Sequence, residues 1–263
     1  MSFTNSYKPP PPVAELSEAE LYGPDPYDIN FTLPLHLPSL ETERVKLQPF
    51  IPSIHAKHYW EKASEDPDLF RYYPVAHPTL ESYLTYHETK VRADPANTLL
   101  IIIDKTKPDP EHPEYDGGSL AGALGLFYTS ADHLSSEIAY VVIFPAYQRT
   151  HVASNAIGVL MRYCLELPTA TPQGLGLRRV QWCAHDKNLA SARLAERMGF
   201  KREGIIRWRW VLPEVLARDG MKPSENDKYP TRYGRNTLCL SVCWDDWESG
   251  VREVVEKNIN RRT

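Results

Sequence analysis

The sequence predicts an α/β (α+β) domain built around one central sheet. Three observations carry that expectation. The runs TLLIIID (98–104), LAGALGLFYT (120–129) and SEIAYVVIF (136–144) are apolar and β-rich. Between 152 and 166, Ala153, Ala156, Ile157, Leu160, Met161 and Cys164 recur at helical spacing. Asn188 and Gly199 stand where a helix would take its N-cap and its left-handed stop.

In chain order, RVKLQPF (44–50) reads as a strand and IPSIHAKHYWEKASE (51–65) as a helix, with a second helical stretch over 78–93. Residues 98–104 and 120–129 read as a hairpin with a long tip, KTKPDPEHPEYDGGS (105–119). A strand over 136–144 leads into the helix at 152–166. The loop LPTATPQGLG (167–176) precedes a strand, RRVQWCAH (178–185), and then the helix from Asn188 to Met198. Residues 200–212 alternate as a strand whose RWRW (207–210) has one wet face, and LCLSVCW (238–244) is the last strand. Upstream, proline crowds residues 8–38, including PPPP at 9–12. Proline offers no N–H to a ladder and breaks helices. Residues 1–40 are therefore expected to form a Pro-rich extension laid on the domain or trailing from it, and 41–263 the domain itself.

Bulk properties remove several function classes. The chain has 263 residues, 42% hydrophobic, with a formal net charge of −4, which offers no global basic field for nucleic acid. Cys164, Cys183, Cys239 and Cys243 lie in apolar patterns without C-x-x-C spacing, so free thiols in a reducing compartment are expected. His55-x-x-His58 lacks the carboxylate of a metal-binding helix, and no metal is expected. Without a signal-peptide pattern or a run of 18 apolar residues, the expectation is a cytoplasmic protein with no membrane partner, nuclear entry remaining open.

Residues 143–158, IFPAYQRTHVASNAIG, carry the chemistry. A strand ends in a Pro-containing turn and a helix starts among small residues. Unpaired N–H groups and the positive end of the helix dipole then meet at one point, an anion site worth about 0.3–2 kcal/mol from the dipole alone. Arg149 adds a charged donor, and the small Ala153 and Ser154 admit a diphosphate. Neither a Gly-Lys-Ser/Thr loop nor G-x-G-x-x-G is present in this stretch.

Here the sequence resembles the GNAT N-acetyltransferase superfamily, in which a strand passes through a V-x-P-x-Y-like turn into Q/R-x-x-G-x-G/A. Ile143-Phe-Pro-Ala-Tyr147 is followed by Gln148-Arg-Thr-His-Val-Ala153, with His151 in place of the first glycine. Asn188-LASARLAERMG-Phe200 is similar to the family's N-x-x-[AS]…G-F segment, and Gly234-RNTLCLSVCWDD-Trp247 to the R-D-T/S…D/E-W ending of the Rim-type branch that acetylates ribosomal-protein N-termini. The resemblance covers about 41–247. It implies a mixed, mostly antiparallel twisted sheet with helices on both faces. It implies acetyl-CoA as co-substrate, the diphosphate on the amides of Gln148, Arg149, Thr150, His151, Val152 and Ala153 beside Ser154, the pantetheine along Val141, Val142 and Ile143, and Asn188 near that arm. At His151 a glycine is needed only for φ > 0 or for room, so a right-handed helix start tolerates histidine.

Acetylation of an amine needs a base, a polarised thioester carbonyl and a departing thiolate. The family places its base where Glu137 stands, on the strand feeding the diphosphate loop, against the alternative of a rim carboxylate paired with a cation. A backbone N–H near Val142 or Ile143, freed by a bulge, would hold the carbonyl oxygen. The family's tyrosine acid would fall at Ala195, so Ser191 or a water takes that role; His185-Asp186 is a second base candidate. Trp60, Tyr72 and Tyr73 are candidates for the substrate pocket. The expected activity is transfer of acetyl from acetyl-CoA to a primary amine, of a small molecule or a peptide N-terminus, by direct attack in a ternary complex, in a monomer or a homodimer. The other reading is a GNAT-like acyl-CoA-binding protein with weak or no turnover.

Overall fold

The computed structural model describes residues 2–9 and 15–261, so the proline run at 9–12 lies, apart from Pro9, outside the described residues. Ser17 caps the one-turn helix α1 (Glu18–Leu21) in a capping box with Glu20. The extension from there to Leu40 lies on the domain. Tyr27 donates to Glu88 at 2.7 Å, the Tyr163 hydroxyl donates to the Pro34 carbonyl at 2.7 Å, and Leu40 has no exposed surface.

Strand β1 (Val45–Pro49) is followed by α2 (Pro52–Ser64), which starts on proline at a position whose N–H has no helical partner anyway. Thr79 and Ser82 cap α3 (Leu80–Tyr86), which runs on over His87–Arg92 with a wider π-type turn. Then come β2 (Thr98–Asp104), β3 (Ser119–Ser130), β4 (Ser135–Ile143), α4 (Val152–Leu165), β5 (Arg179–His185), α5 (Leu189–Arg197), β6 (Lys201–Val211), β7 (Gly234–Cys243), the turn α6 (Trp244–Asp246) and α7 (Arg252–Asn260). Gly199 stops α5 with φ +95°, a conformation a Cβ would oppose.

The seven strands lie in the order β1-β2-β3-β4-β5-β7-β6, antiparallel except for β4 beside β5. One face carries the larger core beneath α4, α5 and α7, with Val180, Trp182, Leu240 and Val242 facing it from β5 and β7. The other face packs Phe50, Tyr59, Tyr83 and Tyr140 against α2 and α3. The final helix was not anticipated, although Val251, Val255 and Ile259 repeat every fourth residue and are all buried. It lies so close to α4 that a Cβ on Gly158 would come within 2.8 Å of Ile259.

Strand β6 departs from its reading. It is exposed along most of both faces, and its register with β7 slips between Ile206 and Trp210, with Trp208 at φ +53°. The alternation of RWRW therefore does not sort residues to a wet and a dry face. The bulge instead turns Arg209 and Trp210 toward a cleft.

Candidate active site

Strands β4 and β5 pair over only three rungs, Ser135 with Arg179, Ser136 with Val180 and Glu137 with Gln181. Beyond Glu137 they separate, and a cleft of about 950 Å³ opens between them. Every residue expected at the site lines this cleft except Val152, Trp60 and, of the second base candidate, Asp186. Val152 is wholly buried in the larger core, where the first turn of α4 needs an apolar anchor. Trp60 packs beside Tyr83, with ring centroids 5.9 Å apart, in the aromatic layer under α2, and so is not part of the pocket.

One end of the cleft is built by the turn before α4. The Gln148 side chain donates to the Ile143 carbonyl at 3.0 Å and ties the turn to the strand end. Arg149 takes φ +60°, uncommon for a residue with a Cβ. This bend leaves the backbone N–H groups of Arg149, Thr150, His151, Ala153 and Ser154 without a protein acceptor among the described residues; that of Val152 reaches the Thr150 hydroxyl at 3.3 Å. His151 sits at φ −68°, ψ −19°, so right-handed geometry replaces the glycine requirement, and its ring points at buried Asp104, 3.2 Å away.

Charge separates the cleft from the rest of the molecule. Arg149, Arg193, Arg197, Arg209, Arg235 and Arg261 line it, against one carboxylate, Glu137. A chain of net charge −4 thus presents a strongly positive groove. Sequence reading missed Arg193 and Arg197, although their spacing of four puts them on one face of α5. Arg235 stands at the arginine of the R-D-T/S-like ending but was given no role, and Arg209 is brought round only by the register of β6 on β7.

Glu137 is 5% exposed, and Gln181 Nε2 donates to its Oε2 at 3.1 Å. Burial raises its pKa above the ordinary carboxylate value; hydrogen bonds from Cys183 and Gln181 and the charges of Arg209 and Arg235 pull the other way without cancelling it. Burial, with Glu137 beside it, likewise pushes the Cys183 thiol up. Cys183 and Cys239 are cross-strand neighbours with sulfurs 3.8 Å apart, and all four cysteines are free.

The bulge expected near Val142 or Ile143 lies earlier. Register with β3 slips between Val142 and Ala139, with Tyr140 at φ +54°. The Val141 carbonyl accepts from the Tyr73 hydroxyl at 2.8 Å. On α5, Asn188 Oδ1 caps the Ser191 N–H at 3.1 Å, and Ser191 Oγ accepts from Trp182 Nε1 at 2.9 Å, which leaves the Ser191 hydroxyl proton free to point into the cleft. Ala195 is fully buried in the larger core.

His185 does not fit the role of second base. Its Nδ1 accepts from the Lys187 N–H at 3.1 Å, so a neutral ring keeps its proton on Nε2. Asp186 Oδ1 lies 3.0 Å from the same nitrogen but is not aligned to accept from it, and its Oδ2 takes the Asn236 amide at 3.0 Å. His55 and His58 likewise do not act as a pair. His55 Nδ1 accepts from Ile51 N–H, whereas His58 stacks on His112 at 3.7 Å with Asp109 nearby. The two ring planes are within 11° of parallel, so a shared ion would sit out of both.

No described helix is long and apolar enough to cross a membrane. The family model for the acetyltransferase (GNAT) domain matches residues 44–201. The uncharacterized N-acetyltransferase YoaA of Bacillus subtilis (strain 168) is 33% identical over 92 residues, 35% of this chain and 48% of that protein, so the match spans about half the length of this relative. In fold, the chain is similar to a probable GNAT-family acetyltransferase from Chromobacterium violaceum (TM-score 0.64, 23% identity, 92% of this chain and 100% of that one). It is also similar to Mycobacterium smegmatis RimJ in complex with CoA-disulfide (TM-score 0.56, 15% identity, 81% and 88%). A GNAT model that spans residues 44–201, on a seven-stranded sheet split between β4 and β5, places this chain in the GNAT acetyltransferase family.

Proposed function

We propose that the protein transfers an acetyl group from acetyl-CoA to a primary amine by direct attack in a ternary complex. The observation that carries this reading is the continuity of one cleft, from five unpaired N–H groups and a cluster of arginines to a single buried carboxylate. The N–H groups before α4 and Arg149 suit a diphosphate, and the separated edges of β4 and β5 suit the amide-bearing arm that follows it. The CoA in the similar Mycobacterium protein is in keeping with this. Glu137 removes the proton that an ammonium must lose before its nitrogen attacks the thioester carbon. As the C–S bond breaks, the sulfur leaves as thiolate and is protonated by the Ser191 hydroxyl or by water. A thiolate is a good leaving group, so the base matters more than the acid.

The burial of Ala195 away from the cleft favours a second reading, an acyl-CoA-binding protein with little turnover. Thiol release, measured with acetyl-CoA and a panel of primary amines, separates the two. Amine-dependent release supports transfer. Tight acetyl-CoA binding without release, across peptides, amino acids and polyamines, rejects it.

A further inference from the structure

Four buried polar atoms on residues of the cleft wall find no hydrogen-bond partner among the described residues; one, His151 Nε2, faces Asp104, and the other three are His185 Nε2, Thr237 Oγ1 and Arg235 Nε. Their residues are 2%, 0% and 6% exposed. They are neighbours by construction. His185 of β5 pairs directly with Thr237 of β7, and Arg235, two residues before Thr237, projects from the same face.

All three are donors. Arginine has no acceptor atom, the proton of neutral His185 is on Nε2, and the threonine hydroxyl turns to suit its partner. Burial and the Arg235 charge both lower the His185 pKa, which keeps the ring neutral. The Glu137 charge reaches Arg235, yet Arg235 Nε has no acceptor among the described residues, and Glu137 Oε2 is already taken by Gln181. A buried donor without an acceptor carries its full desolvation cost. A carboxylate would satisfy several of these donors at once, with charge-assisted hydrogen bonds to the guanidinium.

We infer that His185, Thr237 and Arg235 form a carboxylate subsite, which holds the acid group of a small amino-acid-type acceptor and so presents its amine to Glu137. The identity of the amine as acceptor rests on the transfer reading above; the binding of the carboxylate does not. Tyr73, Phe127 and Trp210 on the same walls give an apolar side chain its seat, so an aromatic amino acid is the fitting probe.

The product form can be bound without turnover. Protein saturated with CoA is titrated with N-acetylphenylalanine and, separately, with its uncharged amide. The acid is expected to bind about 10- to 100-fold more tightly than the amide. Arg235→Gln, Thr237→Val and His185→Asn should each remove most of that preference while CoA affinity stays at the wild-type value, which also reports folding. Should Arg235→Gln fail to fold, the other two variants carry the test. The inference is overturned if the amide binds as well as the acid, if neither binds, or if folded variants keep the preference. Thiol release with phenylalanine and phenylalanine amide is read in parallel. Release from the amide with the same kcat/KM as from the acid sinks the subsite and spares the transfer reading. A preference for the acid in titration with no release from either acceptor supports the subsite and removes phenylalanine as acceptor, and transfer itself is rejected only when the whole amine panel is also silent.

Discussion

Glu137 and Gln181 form the last rung between β4 and β5, joined by backbone pairing and by the Gln181 amide on the Glu137 carboxylate at 3.1 Å. The carboxylate thus stands at the point where the sheet divides, half inside the protein's structure and half inside its cleft.

Glu137→Gln should lower kcat by about 10²–10⁴ at neutral pH and leave acetyl-CoA affinity unchanged. In the wild type, kcat/KM should rise with pH through a midpoint above the ordinary Glu value of about 4.3, because burial raises this group. The variant should lose that limb. The same shift predicts a gain in stability. A carboxyl whose folded pKa is raised contributes most below its unfolded pKa and loses that contribution as pH rises through the folded one. At neutral pH the glutamine variant, which still accepts from Gln181, should therefore melt at or above the wild-type temperature. Superimposable pH–rate profiles would remove Glu137 as the base.

Arg149→Glu should weaken acetyl-CoA binding strongly and Arg197→Glu less so, since the second reaches in from α5. Binding should also weaken as salt screens the positive groove, over a Debye length of about 8–10 Å near physiological ionic strength. Calorimetry at two salt concentrations measures both effects. Equal affinity in wild type and Arg149→Glu argues against a diphosphate at the α4 turn.

Stability should fall in mild acid. Burial holds His55 and His77 at about 4 and His87 at about 3. For each, the unfolded chain binds a proton that the fold refuses between about pH 6.5 and the depressed value, so stability drops as pH falls through that window. The melting temperature should decline from pH 6.5 toward 4, and His55→Gln should flatten the decline. A flat melting profile over that range would show that these rings are protonated in the fold.

Removal of residues 1–40 should lower the melting temperature by several degrees. Leu40 alone is fully buried, worth about 2 kcal/mol, and Phe31, Leu33 and Leu35 pack on the same core. Acetyl-CoA affinity of the folded fraction should be unchanged, because no described residue before Leu69 lines the cleft.

Much of the fold was legible because it rests on local signals: apolar, β-rich runs in β2 to β4, helical spacing in α4, a cap at Asn188 and a stop at Gly199. The turn before α4 was legible for the same reason, as its chemistry lies within a dozen consecutive residues. The opposite wall was legible only in pieces, His185 as a strand end and Arg235 and Thr237 within the 234–247 match, and not as one group. His185, Arg209, Arg235 and Thr237 come from three strands, and they meet only through the β5–β7 register and a bulge in β6. Neither is written in the spacing of any one segment. The misplaced base candidate at His185 has a similar origin, since the backbone amide of Lys187 decides which nitrogen carries the proton. Trp60 failed for want of depth information, because an aromatic on a half-buried helix faces core and cleft equally well in sequence.

The three rungs between β4 and β5 also have a mechanical meaning. They join a half-sheet of four strands to one of three, like the rivet of a pair of scissors, and past the rivet the two strands share no ladder rung, only the helix α4 packed across both. Ile143 lies six residues past Glu137, a lever of about 20 Å at strand spacing. An opening of a few degrees would carry the blade tips apart by more than an ångström and move the rivet hardly at all. The position of the carboxylate at the pivot is therefore insensitive to how far apart the two strands stand at the α4 turn.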